Sequence, residues 1–186
     1  MMIQIIQATP ADASSIAPLI VDAIGDIANR LTGEEQPDKV LATLEELITK
    51  TNNRHSYAHT FVAKDGAQIV GIAVLYDGAT GRTLDRQLEQ YLAAHGKDII
   101  IDVEAHDDEF YIDTVCVHEA GRGKGIGTLL LQFAEQEAQR RGFTKISLNV
   151  EEQKIRARQL YERIGYTVTE PWHIINEPFH HMVKNV

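Results

Sequence analysis

The chain has a single cysteine, Cys116, in 186 residues. One thiol allows no disulfide within the chain, and nothing in the composition points to an oxidising compartment. Positive charge is also scarce: 18 lysines and arginines stand against 27 aspartates and glutamates, a net charge of −9. That balance works against generic affinity for nucleic acid or an anionic membrane and favours a cationic substrate or partner. No apolar run approaches the roughly 18 residues that cross a bilayer. The opening Met1-Met2-Ile3-Gln4-Ile5-Ile6 lacks the basic segment and small-residue pattern of a secretory leader. The expectation is a cytoplasmic protein. Repeats, low-complexity tracts and linker-like stretches are absent too, so 1–186 reads as one domain, long enough to bury about 70% of its unfolded surface.

What is present is periodicity. Ile3, Ile5 and Ile6 form a short strand pattern that stops at Thr9-Pro10-Ala11-Asp12, a helix start with Thr9 as cap and Pro10 at the first position. Apolar residues at helical spacing run from Ile16 to Ile27, with Gly33 as the stop, and a second helix starts at Pro37. Residues 51–59 read as a polar surface loop, and 60–63 with 68–76 as an antiparallel hairpin. Residues 77–109 are less regular, hold a helix around Leu84, Leu88, Tyr91 and Leu92, and read as an insertion. From Phe110 the order is strand 110–117, glycine-rich turn, helix 125–141, strand 146–150 and helix 154–164, with short strands near 166–169 and 179–183. That order predicts an α/β fold in which a parallel pair joins a mixed sheet with helices packed on it.

The chemistry concentrates in Val115-Cys116-Val117-His118-Glu119-Ala120-Gly121-Arg122-Gly123-Lys124-Gly125-Ile126-Gly127-Thr128. A helix that opens behind a glycine-rich loop presents unpaired N–H groups and its positive dipole end, a seat for phosphate. Gly123, Gly125 and Gly127 keep side chains out of the way, while Arg122 and Lys124 add positive charge at the rim. The helix is expected to bury Ile126, Leu129, Leu130, Phe133 and Ala134, which fixes the direction of those donors. The spacing is neither Gly-x-Gly-x-x-Gly nor a Walker A loop, so dinucleotide and nucleoside-triphosphate readings fit poorly.

Arg122, Gly125 and Gly127 match the Gln/Arg-x-x-Gly-x-Gly/Ala signature of the GNAT superfamily of N-acetyltransferases, which the chain resembles. Two further features carry the likeness. Val115-Cys116-Val117 resembles the family strand whose backbone meets the pantetheine arm of coenzyme A. Ala157-Arg158-Gln159-Leu160-Tyr161-Glu162-Arg163-Ile164-Gly165-Tyr166 resembles the family's Ala-x-x-Leu-Tyr-x-x-x-Gly-Phe helix and turn. The likeness is motif-level over about residues 110–170. It implies a GNAT-like central mixed, mostly antiparallel twisted sheet of about six or seven strands with helices on both faces, and an acetyl-CoA-dependent transfer of an acetyl group to a primary amine in a ternary complex. Val115, Cys116, Val117, Arg122, Gly123, Lys124, Gly125, Ile126, Gly127, Thr128, Asn149 and Tyr161 would then contact the cofactor, and Tyr161 would protonate the departing thiolate.

The amine must also lose a proton before it attacks. Many relatives carry a glutamate where this chain has Tyr111, so the base is open. Strand alternation predicts Tyr111, Asp113, Val115 and Val117 on one face, which makes Asp113 the first candidate and Glu109 the second. A further departure is Lys154, where many relatives have asparagine. His180 and His181 point to opposite faces of a strand, so no metal site is expected. Cys116 reads as a small buried residue rather than an acyl-carrying nucleophile, and Glu104, Asp107, Asp108 and Glu109 either select a cationic amine or are solvated loop charge. The partner is a small-molecule or peptide amine, with no nucleic acid or membrane, and homodimerisation is left open. Two rival readings remain: a non-catalytic acyl-CoA-binding sensor or scaffold, and a nucleotide-binding protein using the same loop.

Overall fold

The computed structural model describes residues 2–186. Seven strands, β1 Ile3–Gln7, β2 Thr60–Asp65, β3 Gln68–Asp77, β4 Phe110–Val117, β5 Lys145–Glu151, β6 Thr167–Ile174 and β7 Glu177–Asn185, form one sheet in the order β1-β2-β3-β4-β5-β7-β6. Only β4 and β5 run parallel; every other neighbouring pair is antiparallel. This is the mixed, mostly antiparallel sheet expected above. Helices α1 Ala13–Ile24, α2 Ile27–Thr32, α3 Pro37–Thr49 and α4 Gly78–Ala94 cover one face, and α5 Ile126–Arg140 and α6 Ile155–Arg163 cover the other. Among the described residues no helix is long and apolar enough to cross a membrane.

Local chemistry explains most element ends. The Asp12 carboxylate accepts from the N–H and hydroxyl of Thr9 at 2.8 and 2.9 Å, which nucleates the turn that leads into α1. The single helix expected from Ile16 through Ile27 breaks at Gly25, whose φ of 55° and ψ of −129° suit only glycine, and α2 restarts two residues later. Ile16 and Ile20 of α1 pack with Leu44 and Ile48 of α3 over Val62 and Ile72 of the sheet. On the opposite face α5 buries Ile126, Leu130, Leu131 and Ala134, whereas Leu129, expected inside, is 41% exposed. The helix is rotated so that Leu131, not Leu129, meets the sheet.

Strand β4 corrects the alternation argument. Val74 of β3 lies opposite Thr114 and Leu75 opposite Ile112, so Asp113 is an extra residue on β4 and forms a bulge. The bulge reverses the parity of the strand. Phe110 and Ile112 before it, and Val115 and Val117 after it, all pack into the core beneath α5, while Tyr111 and Cys116 face the α1 to α4 side. Tyr111 and Val115 therefore do not share a face.

Residues 78–109 comprise α4 and a connecting loop. Leu88 and Leu92 pack against Leu31 and Leu47, and Ile101 of the loop joins them. The loop returns to β4 through a turn at 106–109 that lies hard against the start of α4. Gly78 donates its N–H to Glu109 O at 2.8 Å, and a methyl at Gly78 would stand 2.1 Å from His106 O and 2.9 Å from Glu109 O. Gly78→Ala is therefore expected to destabilise the fold by about 1–3 kcal/mol through overpacking. The checking measurement is urea unfolding, with a lower midpoint and an unchanged slope; an unchanged midpoint would mean that the turn does not bear on α4.

Candidate active site

The parallel pair is short. β4 lies beside β5 only where Phe110 to Ile112 face Ile146 to Leu148. Beyond that β4 stays with β3 as far as Val117, and β5 stays with β7 as far as Glu151. The two strands splay and leave a wedge between them. A cavity of about 260 Å³ fills it, lined by Tyr111 to Val115 on one side, Leu148 to Glu151 on the other, and by Arg54, Glu104, Ala157 and Tyr161. A second cavity of about 480 Å³ shares Ala23, Ile24, Ile27, Glu151, Lys154 and Phe179 with the first and continues it outward, past Asp22, Asp26 and Glu177.

The floor of the wedge is ionic. Arg54, 1% exposed, places Nη2 2.6 Å from Asp113 Oδ2 and 2.7 Å from Glu104 Oε2, and Nη1 3.4 Å from Asp85 Oδ1. The loop that carries it is not on the surface: Asn53, Arg54, His55 and Ser56 are all buried. Its backbone is satisfied from within, because Asn53 donates to Leu47 O at 2.8 Å and accepts from His55 N at 2.8 Å, and Ser56 O accepts from the Thr60 hydroxyl at 3.0 Å. Burial lowers the His55 pKa to about 4, so its imidazole is neutral beside the arginine.

One cation cannot fully compensate three carboxylates, and the three respond differently. Burial alone would raise Asp113, but Arg54, with hydrogen bonds from Arg54 and Tyr76, brings it below the ordinary carboxylate range. Both its oxygens are engaged: Oδ2 accepts from Arg54 Nε at 3.0 Å, Arg54 Nη2 at 2.6 Å and Tyr76 OH at 2.7 Å, and Oδ1 accepts from Thr114 at 2.8 Å. Asp85 is raised, chiefly by burial. Glu104 is pushed up to about 7 by burial and the charge of Asp113, against the pull of Arg54. Its Oε2 accepts from Tyr111 OH at 2.7 Å, and its Oε1 has no partner within the protein among the described residues.

Of the residues singled out from sequence, Glu104, Tyr111, Asp113, Val115, Asn149, Lys154 and Tyr161 line the wedge. Glu109 does not. It is 3% exposed and bonds His181 Nε2 at 2.9 Å, and those bonds hold its carboxyl low despite burial. Asn149 spends its amide inside the protein: Nδ2 donates to Glu104 O at 2.8 Å and Oδ1 faces His181 Nδ1 at 2.7 Å, so its side chain is already engaged at both ends. Tyr161 packs against the core below α5; burial raises its hydroxyl above the ordinary tyrosine value, and that hydroxyl has no hydrogen-bond partner among the described residues. Cys116 turns to the opposite layer, 3.6 Å from Asp22, and burial raises its thiol to about 11. The sequence reading names Glu104 among four acids that could select a cationic amine, but it gives no sign that Arg54 is its partner.

The glycine-rich turn follows directly from the open end of β4. Gly123 and Gly125 hold φ of 75° and 78°, and a Cβ on either would meet nothing within 4 Å. The N–H groups from Gly123 to Thr128 donate to no carbonyl of the turn. Arg122 is swung to Asp22 and Val117 O, and Lys124 donates to Ala120 O at 2.8 Å, so both cations sit beside the open main chain without entering it. A helix start, two left-handed glycines and unpaired donors together form a preorganised anion seat.

Comparison with known proteins agrees with this geometry. The family model described as Acetyltransferase (GNAT) family matches residues 21–166. A crystal structure described only as an acetyltransferase is 29% identical, with a TM-score of 0.82, over 98% of this chain and 99% of that one. An N-acetyltransferase from Staphylococcus aureus Mu50 is 26% identical, with a TM-score of 0.83, over 97% and 99% of the two chains. The fold extends to the PaiA N-acetyltransferase of Thermoplasma acidophilum, solved in complex with coenzyme A, at 15% identity and a TM-score of 0.62 over the full length of both chains. The splayed β4 and β5, the glycine turn and the matched residues lead to one conclusion: this chain belongs to the GNAT family of acetyltransferases.

Proposed function

We propose that the chain is an acetyl-CoA-dependent N-acetyltransferase that acts on a primary amine in a ternary complex. The observation that carries the reading is a single wedge lined both by Glu104, a carboxyl poised near neutrality with one free oxygen, and by the unbonded hydroxyl of Tyr161. Coenzyme A fits the residues present: its pyrophosphate meets six unpaired N–H groups over two glycines whose missing side chains leave open space. Acetyl-CoA supplies the activated acyl group. Arg122 to Thr128 hold the phosphates, and the open edge of β4 at Val115 to Val117 offers backbone partners to the pantetheine arm.

The remaining chemistry belongs to side chains. Glu104 Oε1 takes the proton of the incoming ammonium, a role that suits a group whose pKa matches the working pH. Asp113 keeps Arg54 in place and so sets that pKa, while Tyr111 and Asn149 hold the carboxylate and the backbone of Glu104. Tyr161 donates its phenolic proton to the departing sulfur. The outer cavity brings Asp22, Asp26, Glu151 and Glu177 round its mouth, of which Asp22 and Glu151 are paired with Arg122 and Lys154. With a chain charge of −9, that mouth favours a cationic acceptor.

Free thiol released in the presence of a panel of aliphatic and peptide amines tests the activity. Coenzyme A binding without amine-dependent release anywhere on the panel would replace the enzyme by a binding module, and a calorimetric preference for ATP would remove both. Gly125→Val is expected to weaken coenzyme A at least tenfold, or about 1.4 kcal/mol, because its side chain enters phosphate space; titration calorimetry on protein with a native circular dichroism spectrum decides it. For the wild type, kcat/KM is expected to rise with pH through about 7 as Glu104 loses its proton. Glu104→Gln is expected to lose that limb together with about 10²-fold or more in kcat; a retained limb would assign the proton elsewhere. Tyr161→Phe is expected to lower kcat by about 10²-fold with little change in coenzyme A affinity, and an unchanged kcat would leave Tyr161 a packing residue.

A further inference from the structure

Behind the wedge, on the far side of Asn149, lies a second polar group, buried at Glu109 and His181 and open at His106. The turn at 106–109 places His106 and Glu109 on one side: the His106 N–H donates to Glu109 Oε2 and the Glu109 N–H donates to His106 O, both at 3.2 Å. Across from them β7 presents His181, 0% exposed, with Nε2 2.9 and 3.1 Å from the two oxygens of Glu109. A ring nitrogen of His106, a carboxylate oxygen of Glu109 and a ring nitrogen of His181 all lie within 4.8 Å of one another.

The hydrogen bonds limit what can stand between His181 and Glu109. Asn149 must direct Nδ2 to the Glu104 carbonyl, an acceptor, so its Oδ1 faces His181 and requires Nδ1 to carry a hydrogen. A neutral His181 then turns the lone pair of Nε2 towards a carboxylate. Two lone pairs do not face each other at hydrogen-bond distance unless a proton or a cation lies between them. His106, half exposed, supplies a third donor on the solvent side, and its Nε2 is held by Glu170. Trp172 stacks on His181 at 4.6 Å and meets His106 edge-on at 5.0 Å, walling the group from one side.

We infer that His106, Glu109 and His181 bind a divalent transition-metal ion of the Zn2+ type, with Asn149 and Glu170 orienting the two imidazoles. Two nitrogens and one carboxylate oxygen, with one side open to water, suit that ion class. Bonds of about 2.0–2.1 Å at a tetrahedral angle need the nitrogen and oxygen about 3.3 Å apart. The spacing between His181 and Glu109 is short of that by a few tenths of an ångström, a movement the Glu109 carboxylate can make, and the half-exposed His106 ring, within 4.8 Å of both, must close in from the solvent side. Buried imidazoles that ligate metals keep the second nitrogen on an oxygen acceptor, as Asn149 does here. The ion would stand one residue behind the wedge, at the end of the chain Glu104, Tyr111, Asn149, His181, and would lock the orientation of Asn149. This inference stands on the side chains alone and does not depend on the acyl-transfer reading.

The test uses the full chain without a histidine tag, freed of metal by a chelator. Titration with Zn2+ in a calorimeter is expected to give one equivalent bound with micromolar or tighter Kd, and Co2+ is expected to give visible absorption bands of a low-symmetry site. His106→Ala removes a half-exposed side chain and leaves the core intact; it and Glu109→Gln are each expected to weaken Zn2+ at least about tenfold. Zn2+ is also expected to raise the melting temperature of the wild type and not that of His106→Ala. No saturable binding, or an affinity unchanged from the wild type in the two variants, would overturn the inference and leave His181 and Glu109 as an imidazolium–carboxylate pair.

Discussion

A guanidinium sealed from water needs charge around it, and Arg54 recruits that charge from three distant segments: Asp85 on α4, Glu104 on the loop after it, and Asp113 at the bulge of β4. Loss of any one partner leaves a buried charge less compensated, which costs more than a surface ion pair ever contributes. The cluster therefore ties together the elements that wall the wedge. It also divides labour among the acids. Asp113 sits closest and stays ionised, so the field it shares with Arg54 leaves Glu104 the carboxyl that can gain and lose a proton near neutrality.

Much of the backbone frame was legible. The strand over 110–117 and the helices beginning at 126 and 155 follow from period, glycine stops and one phosphate-type turn, all of them local signals. The turn itself was readable because its chemistry is carried by main-chain donors, and glycines announce where a main chain must be approached. Arg54 and its grouping with the acids were not readable, because the partners lie 31, 50 and 59 residues from it along the chain and nothing local distinguishes a buried arginine loop from a solvated one. Asp113 illustrates the difference most sharply. It was noticed for its place on the strand, yet the alternation that drew attention to it fails at that residue, since the extra residue of the bulge is Asp113.

The same limit applies to His181. Its neighbour His180 does face the other way, beside Arg158, as strand geometry requires. What strand geometry does not contain is the turn at 106–109, brought across the sheet by the packing of α4 and the backbone of Gly78. A segment that reads as an irregular insertion therefore supplies Glu104 to the wedge and His106 and Glu109 to the group behind it.

The divergence of β4 and β5 leaves an unpaired strand border inside a sheet rather than at its rim. Bare borders ordinarily invite pairing by other chains, and soluble proteins blunt them with charge, proline or a covering element. Here the border is recessed in a cavity of about 260 Å³ that residues of α1, α2 and α6 wall from the sides. A border covered in this way is shielded from pairing with another chain, so the opening that frees the end of β4 does not become an edge for aggregation.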